Sequence, residues 1–121
     1  MSLNAFILVF ISVSLSAVGQ IAFKLGVSKL VFADGAQIVG KILAFAASPF
    51  ILAGLAAYGL GTLFWLFALR QLDLSLAYPF VAISFIVVFA IGVVGLGEPW
   101  NNTRALGLAI ITIGLIVMAK A

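Results

Sequence analysis

The sequence predicts an all-α integral membrane protein in which four transmembrane helices form a single domain over residues 1–121. Hydrophobic residues make up 66% of the chain and charged residues only 7%, whereas about a quarter of the residues in soluble domains are charged. A transmembrane helix needs about 20 apolar residues to cross hydrocarbon roughly 30 Å thick. Four such runs, separated by turn signals, occupy nearly all of the 121 residues. No room remains for a soluble domain.

The first predicted span runs from Asn4 to Leu25, and the stem of Lys24 is long enough to reach the interface from its end. The few polar residues inside this span are Ser12, Ser14, Ser16 and Gln20. The segment 36–47 that follows is too short to cross a bilayer. We expect it to lie as a helix at the membrane interface or to extend the second span.

The second span is predicted over Pro49–Leu69, because proline suits the first turn of a helix and Ser48 can cap its free N–H groups. Ala53, Ala57 and Gly61 repeat every four residues within it. Small residues at this spacing allow another helix backbone to approach closely. The sequence therefore predicts a helix–helix contact on this face.

The remaining two spans follow the next turn signals. The third is predicted from Pro79 to Leu96 and the fourth from Arg104 to Met118. Glycine, proline and short polar residues interrupt the apolar runs and mark the loops. The predicted loops lie near residues 28–48, 71–77 and 98–103.

Two glycines of the fourth helix, Gly107 and Gly114, are seven residues apart and so fall on nearly the same face. A smooth face of this kind is a candidate oligomer contact. The alternative is that glycine is simply frequent in membrane helices.

The charged residues exclude several classes of function. The chain has no histidine or cysteine, and its acids are Asp34, Asp73 and Glu98. These residues cannot pair a nucleophile with a base, so we expect no enzyme, no cofactor and no metal site. The six Lys and Arg residues are scattered, which argues against nucleic-acid binding. Their distribution favours both termini outside only weakly, and insertion in both orientations stays admissible.

A succession of short motifs resembles the drug/metabolite transporter superfamily. The motifs are Ala68–Pro79 (ALRQLDLSLAYP), Gly97-Glu98-Pro99 and Arg104-Ala-Leu-Gly107. In order and spacing they resemble one four-helix unit of the small multidrug resistance or EamA-like kind. The chain also resembles the small subunits of the flippase for undecaprenyl phosphate linked to aminoarabinose. The residues that carry this resemblance are Gly19–Ser28 (GQIAFKLGVS), Ala77-Tyr78-Pro79 and Glu98-Pro99.

One position separates this chain from the proton-coupled exporters of that superfamily. Small multidrug resistance proteins carry an embedded glutamate in the first helix, where this chain has Ser16. A serine does not exchange a proton near neutral pH, so that mechanism is not expected here. A fluoride channel is a rival of similar size, but the third helix offers only Ser84 in place of the threonine- and phenylalanine-rich break such channels carry.

The polar residues of the spans define a predicted substrate path. Its candidates are Ser16, Gln20, Lys24, Tyr58, Thr62, Tyr78 and Glu98. Lys24 can attract an anionic headgroup or simply anchor the helix. Glu98 can recognise a cationic amine, pair with Arg104 or serve as a cap. Tyr78 suits an interface anchor equally well, whereas the mid-span Tyr58 must face protein or a cavity.

The resemblance implies a subunit of a transporter or flippase for a lipid-linked sugar or another anionic metabolite. Membrane lipids, including a polyprenyl phosphate-linked sugar, are the expected ligands, in an inner or plasma membrane. Four helices enclose little volume, so we expect a homodimer or a heteromer with a related subunit. The alternative is a non-transporting accessory subunit of a larger complex.

Overall fold

The computed structural model of the protein describes residues 3–32 and 35–121. Their helices are α1 (Leu3–Ser28), α2 (Ile38–Ala47), α3 (Pro49–Leu69), α4 (Leu74–Ala77), α5 (Ala82–Val94) and α6 (Asn102–Ala119). A 3-10 turn at Tyr78–Val81 joins α4 to α5. Asp34, one of the acids considered above, lies outside the described residues.

Four helical segments in the described part of the chain are long and apolar enough to cross a membrane. They are α1, α3, the continuous stretch Leu74–Val94 and α6, and we call Leu74–Val94 the third span. The predicted fold class, an all-α protein with four transmembrane helices, is confirmed. The first helix continues to Ser28, so Lys24 lies inside α1 rather than at its end.

The segment between the first two spans contains a helix of its own. Ser48 has an extended backbone (φ −77°, ψ 123°), which separates α2 from α3. Its hydroxyl accepts a hydrogen bond from the N–H of Ile51 at 3.4 Å, as expected of a cap. The helix over 38–47 therefore does not extend the second span.

The predicted start of the third span at Pro79 is wrong. The helical stretch begins at Leu74, because the Asp73 carbonyl accepts the N–H groups of Leu76 and Ala77 and starts a helical turn before the proline. Pro79 then lies in the 3-10 turn. Its missing N–H interrupts few α-helical hydrogen bonds there. The predicted loop at 71–77 is correspondingly shorter.

The close packing of α1 on α3 is the main helix contact of the fold. A Cβ atom added to Gly19 would lie 2.9 Å from the Gly54 carbonyl oxygen, and one added to Gly61 would lie 2.9 Å from the Ser12 carbonyl oxygen. The Ser12 hydroxyl donates to the Gly61 carbonyl at 2.7 Å. Glycine is needed at these positions because the partner at closest approach is backbone. We call this contact the glycine seam, which Gly26 extends against Ile51.

The predicted small-residue face is only partly correct. Gly61 belongs to the glycine seam, but Ala53 is exposed and Ala57 is only half-buried. Gly54, rather than Ala53, is the buried small residue on this face of α3. Residues seven apart, not four, meet α1 because two full turns return a helix to nearly the same face.

Beyond the seam, a small apolar core joins α1, α3 and the third span. Val9, Val13, Ala68 and Phe80 are its buried members. In contrast, no residue of α6 is buried, and its main neighbour is α5. An added Cβ atom would meet nothing within 4 Å at either Gly107 or Gly114. The predicted oligomer face is therefore uncovered in the single chain.

Candidate functional site

A cavity of about 660 Å³ lies between α1 and α3 on one side and the third span on the other. The volume falls within the roughly 300–1,000 Å³ typical of small-molecule sites. Tyr58 on one wall is 45% exposed and Phe85 on the other is 51% exposed. The cavity is thus a groove that is accessible from the side of the protein, where a membrane would place lipid.

The cavity collects most of the predicted substrate path. Six of its seven candidates line the groove, namely Ser16, Gln20, Tyr58, Thr62, Tyr78 and Glu98. Lys24 does not line it. It is exposed on α1, one helical turn beyond Gln20 and so on the same side of the helix.

The two walls of the groove differ in chemistry. α1 and α3 supply polar side chains, including Ser16, Gln20 and Tyr58. The third span supplies mostly apolar side chains along its length: Val81, Phe85, Val88, Phe89 and Val93. The groove therefore offers a polar surface and an apolar surface side by side, as an amphipathic ligand requires.

Some hydroxyl groups in the groove are already used by the protein. Thr62 donates to the Tyr58 carbonyl at 3.0 Å, and Ser84 donates to the Val81 carbonyl at 2.5 Å. Both bonds lie within a helical turn and satisfy the donors locally. These two residues retain only acceptor lone pairs for a ligand.

The side chains of Ser16, Gln20 and Tyr58 form no hydrogen bond within the described residues. Ser16 is half-buried, whereas Gln20 and Tyr58 are exposed, so their polar atoms are accessible to a ligand. Gln20 provides two donors and an acceptor, and the two hydroxyls each provide a donor and acceptors. These three side chains are the part of the groove best able to bind a polar group.

Two opposite charges, Glu98 and Arg104, also line the groove. The Glu98 N–H donates to the Gly92 carbonyl at 2.9 Å, and its carboxylate lies directly over Gly92. Arg104 is in the first turn of α6, where its N–H is capped by the Asn101 side chain at 3.0 Å. In the described part of the chain, no ion pair within 4.0 Å joins these two residues. The pairing considered from the sequence therefore does not form.

The aromatic candidates take different places. Tyr78 packs edge-on against Trp65, with ring centroids 6.5 Å apart, and both line the groove. Trp100 instead packs on Phe89 at 5.5 Å and donates to the Asn102 side chain at 2.6 Å. Trp100 thus braces the turn before α6.

Sequence reasoning did not assign Arg104, Gly92 or Phe85 to the site. Arg104 was considered only as a partner for Glu98, and Gly92 and Phe85 were not singled out. Arg104 carries a sequence signal, since it is a cation directly after a polar turn at the start of a span. Gly92 and Phe85 carry none, because a glycine and a phenylalanine are ordinary in an apolar helix. Within residues 3–32 and 35–121, no group of three or more acidic, His or Cys side chains is placed to hold a metal.

Four transmembrane segments around a groove that is open to the side and has one polar wall define a membrane transport protein. Its relatives among curated proteins agree. The chain is 36% identical over 109 residues to the probable 4-amino-4-deoxy-L-arabinose-phosphoundecaprenol flippase subunit ArnF of Yersinia enterocolitica, covering 88% of this chain and 83% of the relative. It is 31% identical over 127 aligned residues to ArnF of Shewanella sediminis, covering 96% and 88%.

The chain is also 32% identical over 109 residues to the probable subunit ArnE of the same kind of flippase in Pseudomonas aeruginosa, covering 88% of this chain and 90% of the relative. The chain therefore belongs to the family of ArnE and ArnF flippase subunits, and it is a multi-pass membrane protein with a role in transport. No protein-family model matches the chain. No solved structure matches it either.

Proposed function

We propose that the protein is one subunit of a flippase that carries a polyprenyl phosphate bearing an amino sugar across the cell inner membrane. The names of its relatives specify such a lipid as the substrate of their flippase. The observation that carries the proposal here is the groove of about 660 Å³, whose polar wall holds side chains without hydrogen-bond partners in the described structure.

The groove separates the two parts of such a lipid. The sugar phosphate binds the polar wall formed by Ser16, Gln20 and Tyr58, where each hydrogen bond replaces one lost from water. The polyprenyl tail remains in the bilayer and contacts the apolar wall of the third span. The headgroup therefore crosses without its tail leaving hydrocarbon, and no covalent step is required.

A second, related subunit completes the transport unit. One chain leaves the groove open to the side and α6 uncovered. Two four-helix units in opposite orientations would supply the repeat symmetry on which alternating access depends. The relatives are likewise named as subunits rather than as whole flippases.

The test is to purify the protein in a mild detergent, with any subunit that accompanies it, and to identify bound lipids by mass spectrometry. We expect an amino-sugar polyprenyl phosphate with the wild-type protein and much less with Gln20→Leu or Tyr58→Phe. Leu55→Ala, at a position 54% exposed on α3 outside the groove, is the control. A wild-type protein that retains no such lipid would contradict the proposal and favour the accessory role. Equal retention by all variants would show that the lipid does not bind at the polar wall.

A further inference from the structure

The turn that follows α5 returns the chain over the last turns of that helix. The Leu96 N–H donates to the Ile91 carbonyl at 3.0 Å, and the Glu98 N–H donates to the Gly92 carbonyl at 2.9 Å. Gly97 makes this reversal with φ +70°, a conformation that side chains disfavour. As a result Glu98 lies beside α5 rather than extending away from it.

The Glu98 carboxylate occupies the place where a side chain at position 92 would be. A Cβ atom added to Gly92 would overlap Oε1 of Glu98 and would lie 3.4 Å from its carboxyl carbon. Gly92 itself is buried, and Glu98 is the neighbour that an added Cβ would meet. A methyl group at position 92 would therefore displace this carboxylate from its place beside α5.

We propose that Glu98 binds the cationic amine of the headgroup and that Gly92 is the positioning residue that holds its carboxylate in the groove. This inference rests on the proposed function. Glu98 is exposed in the turn that follows the third span, so a ligand in the groove can reach its carboxylate. Arg104 lines the same groove but forms no ion pair with Glu98 in the described structure, which leaves the carboxylate available to a ligand.

The charge pattern of the groove matches a headgroup that carries both signs. The carboxylate of Glu98 complements an ammonium group, and the guanidinium of Arg104 complements a phosphate. The relatives are named for a lipid with both groups, an amine on the sugar and a phosphate on the polyprenol. Glu98 thus determines specificity for the amine, whereas binding of the phosphate does not depend on Glu98.

The experiment measures binding of two synthetic lipids to the purified protein, with any subunit that co-purifies, by native mass spectrometry. One is a short polyprenyl phosphate carrying 4-amino-4-deoxy-L-arabinose. The other is the same lipid with its amine acetylated and therefore neutral. We expect the wild type to prefer the amine lipid by about tenfold, as for a hydrogen bond between charged groups.

Glu98→Gln and Gly92→Ala are both expected to reduce this preference to near one by weakening binding of the amine lipid. Gly59→Ala is the matched control, because position 59 does not line the groove and an added Cβ there meets nothing within 4 Å. In the double variant, Gly92→Ala should add nothing to Glu98→Gln, since it acts only through that carboxylate. Retained binding of the acetylated lipid shows that the variants are folded.

The possible results separate the two proposals. A preference that survives Glu98→Gln overturns the amine role of Glu98. A preference that is lost in Glu98→Gln but kept in Gly92→Ala overturns the positioning role of Gly92. If the wild-type protein binds neither lipid, the proposed function fails and this inference fails with it.

Discussion

Glycine occurs in two regions of this protein that differ in packing. The glycine seam of α1 with α3 is tightly packed, whereas the glycine face of α6 is uncovered. In the seam, Gly19 and Gly54 bring two backbones into contact, so that an added Cβ at Gly54 would lie 2.8 Å from the Gly19 carbonyl oxygen. On α6, Gly107 and Gly114 have open space around them. A glycine in a membrane helix therefore indicates a contact only when its neighbour is known.

The largest expected effect is on the seam. Gly61→Ala should lower the free energy of unfolding by about 2 kcal/mol, within the range for overpacked interiors. The added methyl would lie 2.9 Å from the Ser12 carbonyl oxygen, which is backbone and moves only if α1 moves. Unfolding in mixed micelles by SDS titration measures this change.

Gly59→Ala on the same helix is the control for this prediction. Its added methyl meets nothing within 4 Å. We expect it to be neutral or to stabilise the protein by up to about 1 kcal/mol through higher helix propensity. Equal effects at positions 59 and 61 would show that the seam is not tightly packed.

The next effect concerns the uncovered face of α6. Gly107→Leu or Gly114→Leu should weaken subunit association about tenfold, because bulk prevents the close van der Waals packing that drives helix association in lipid. Membrane insertion should be unchanged, since leucine is well tolerated in hydrocarbon. Single-molecule photobleaching in bilayers reports the association.

Ala109→Leu makes a similar change on the opposite face of α6 and is expected to leave association intact. A wild-type protein that bleaches in one step, alone and without a partner, would contradict the oligomer. If the protein pairs but both leucine variants at the glycines pair equally well, the oligomer stands and the assignment of its interface to α6 is wrong.

A smaller difference is expected between two lysines near the end of α1. Lys24→Ala should reduce flux in a reconstituted assay about fivefold more than Lys29→Ala, because Lys24 shares a helix face with Gln20, which lines the groove, and a low dielectric strengthens an anion contact there. Lys29 instead lies over the Phe50 ring, 4.0 Å from its centroid. Lys24→Arg, which keeps the charge, should retain activity. Comparable flux from both alanine variants, at equal expression, would favour a simple anchoring role.

The smallest expected effect tests the polar part of the seam. Ser12→Ala removes the hydrogen bond to the Gly61 carbonyl and should lower the free energy of unfolding by about 0.6 kcal/mol, the average for such bonds between membrane helices. Ser14→Ala is the control, since the Ser14 side chain forms no hydrogen bond within the described residues. A loss well above 1 kcal/mol in SDS titration would show that this hydrogen bond stabilises the seam more than an average hydrogen bond between membrane helices does.

Much of the site was predictable from the sequence because polar residues in apolar helices are few. Ser16, Gln20, Tyr58 and Thr62 stood out for that reason, and the groove contains all four. Lys24 stood out equally, yet it lies outside the lining. The rarity of polar residues in a span indicates that each one has a role there, but it does not show which side of the helix faces the groove.

The sequence by itself determined the number of spans and most of their ends, because the length of an apolar run compared with the thickness of hydrocarbon is a property of the chain in one dimension. Only the tertiary structure decided which glycines meet a neighbour, where the groove lies and that the Glu98 carboxylate fills the space left by Gly92. These features depend on the rotation and register of one helix against another. Small residues at several spacings on α3 allow more than one such register, and atomic contact selects the one in which Gly54 and Gly61 face α1.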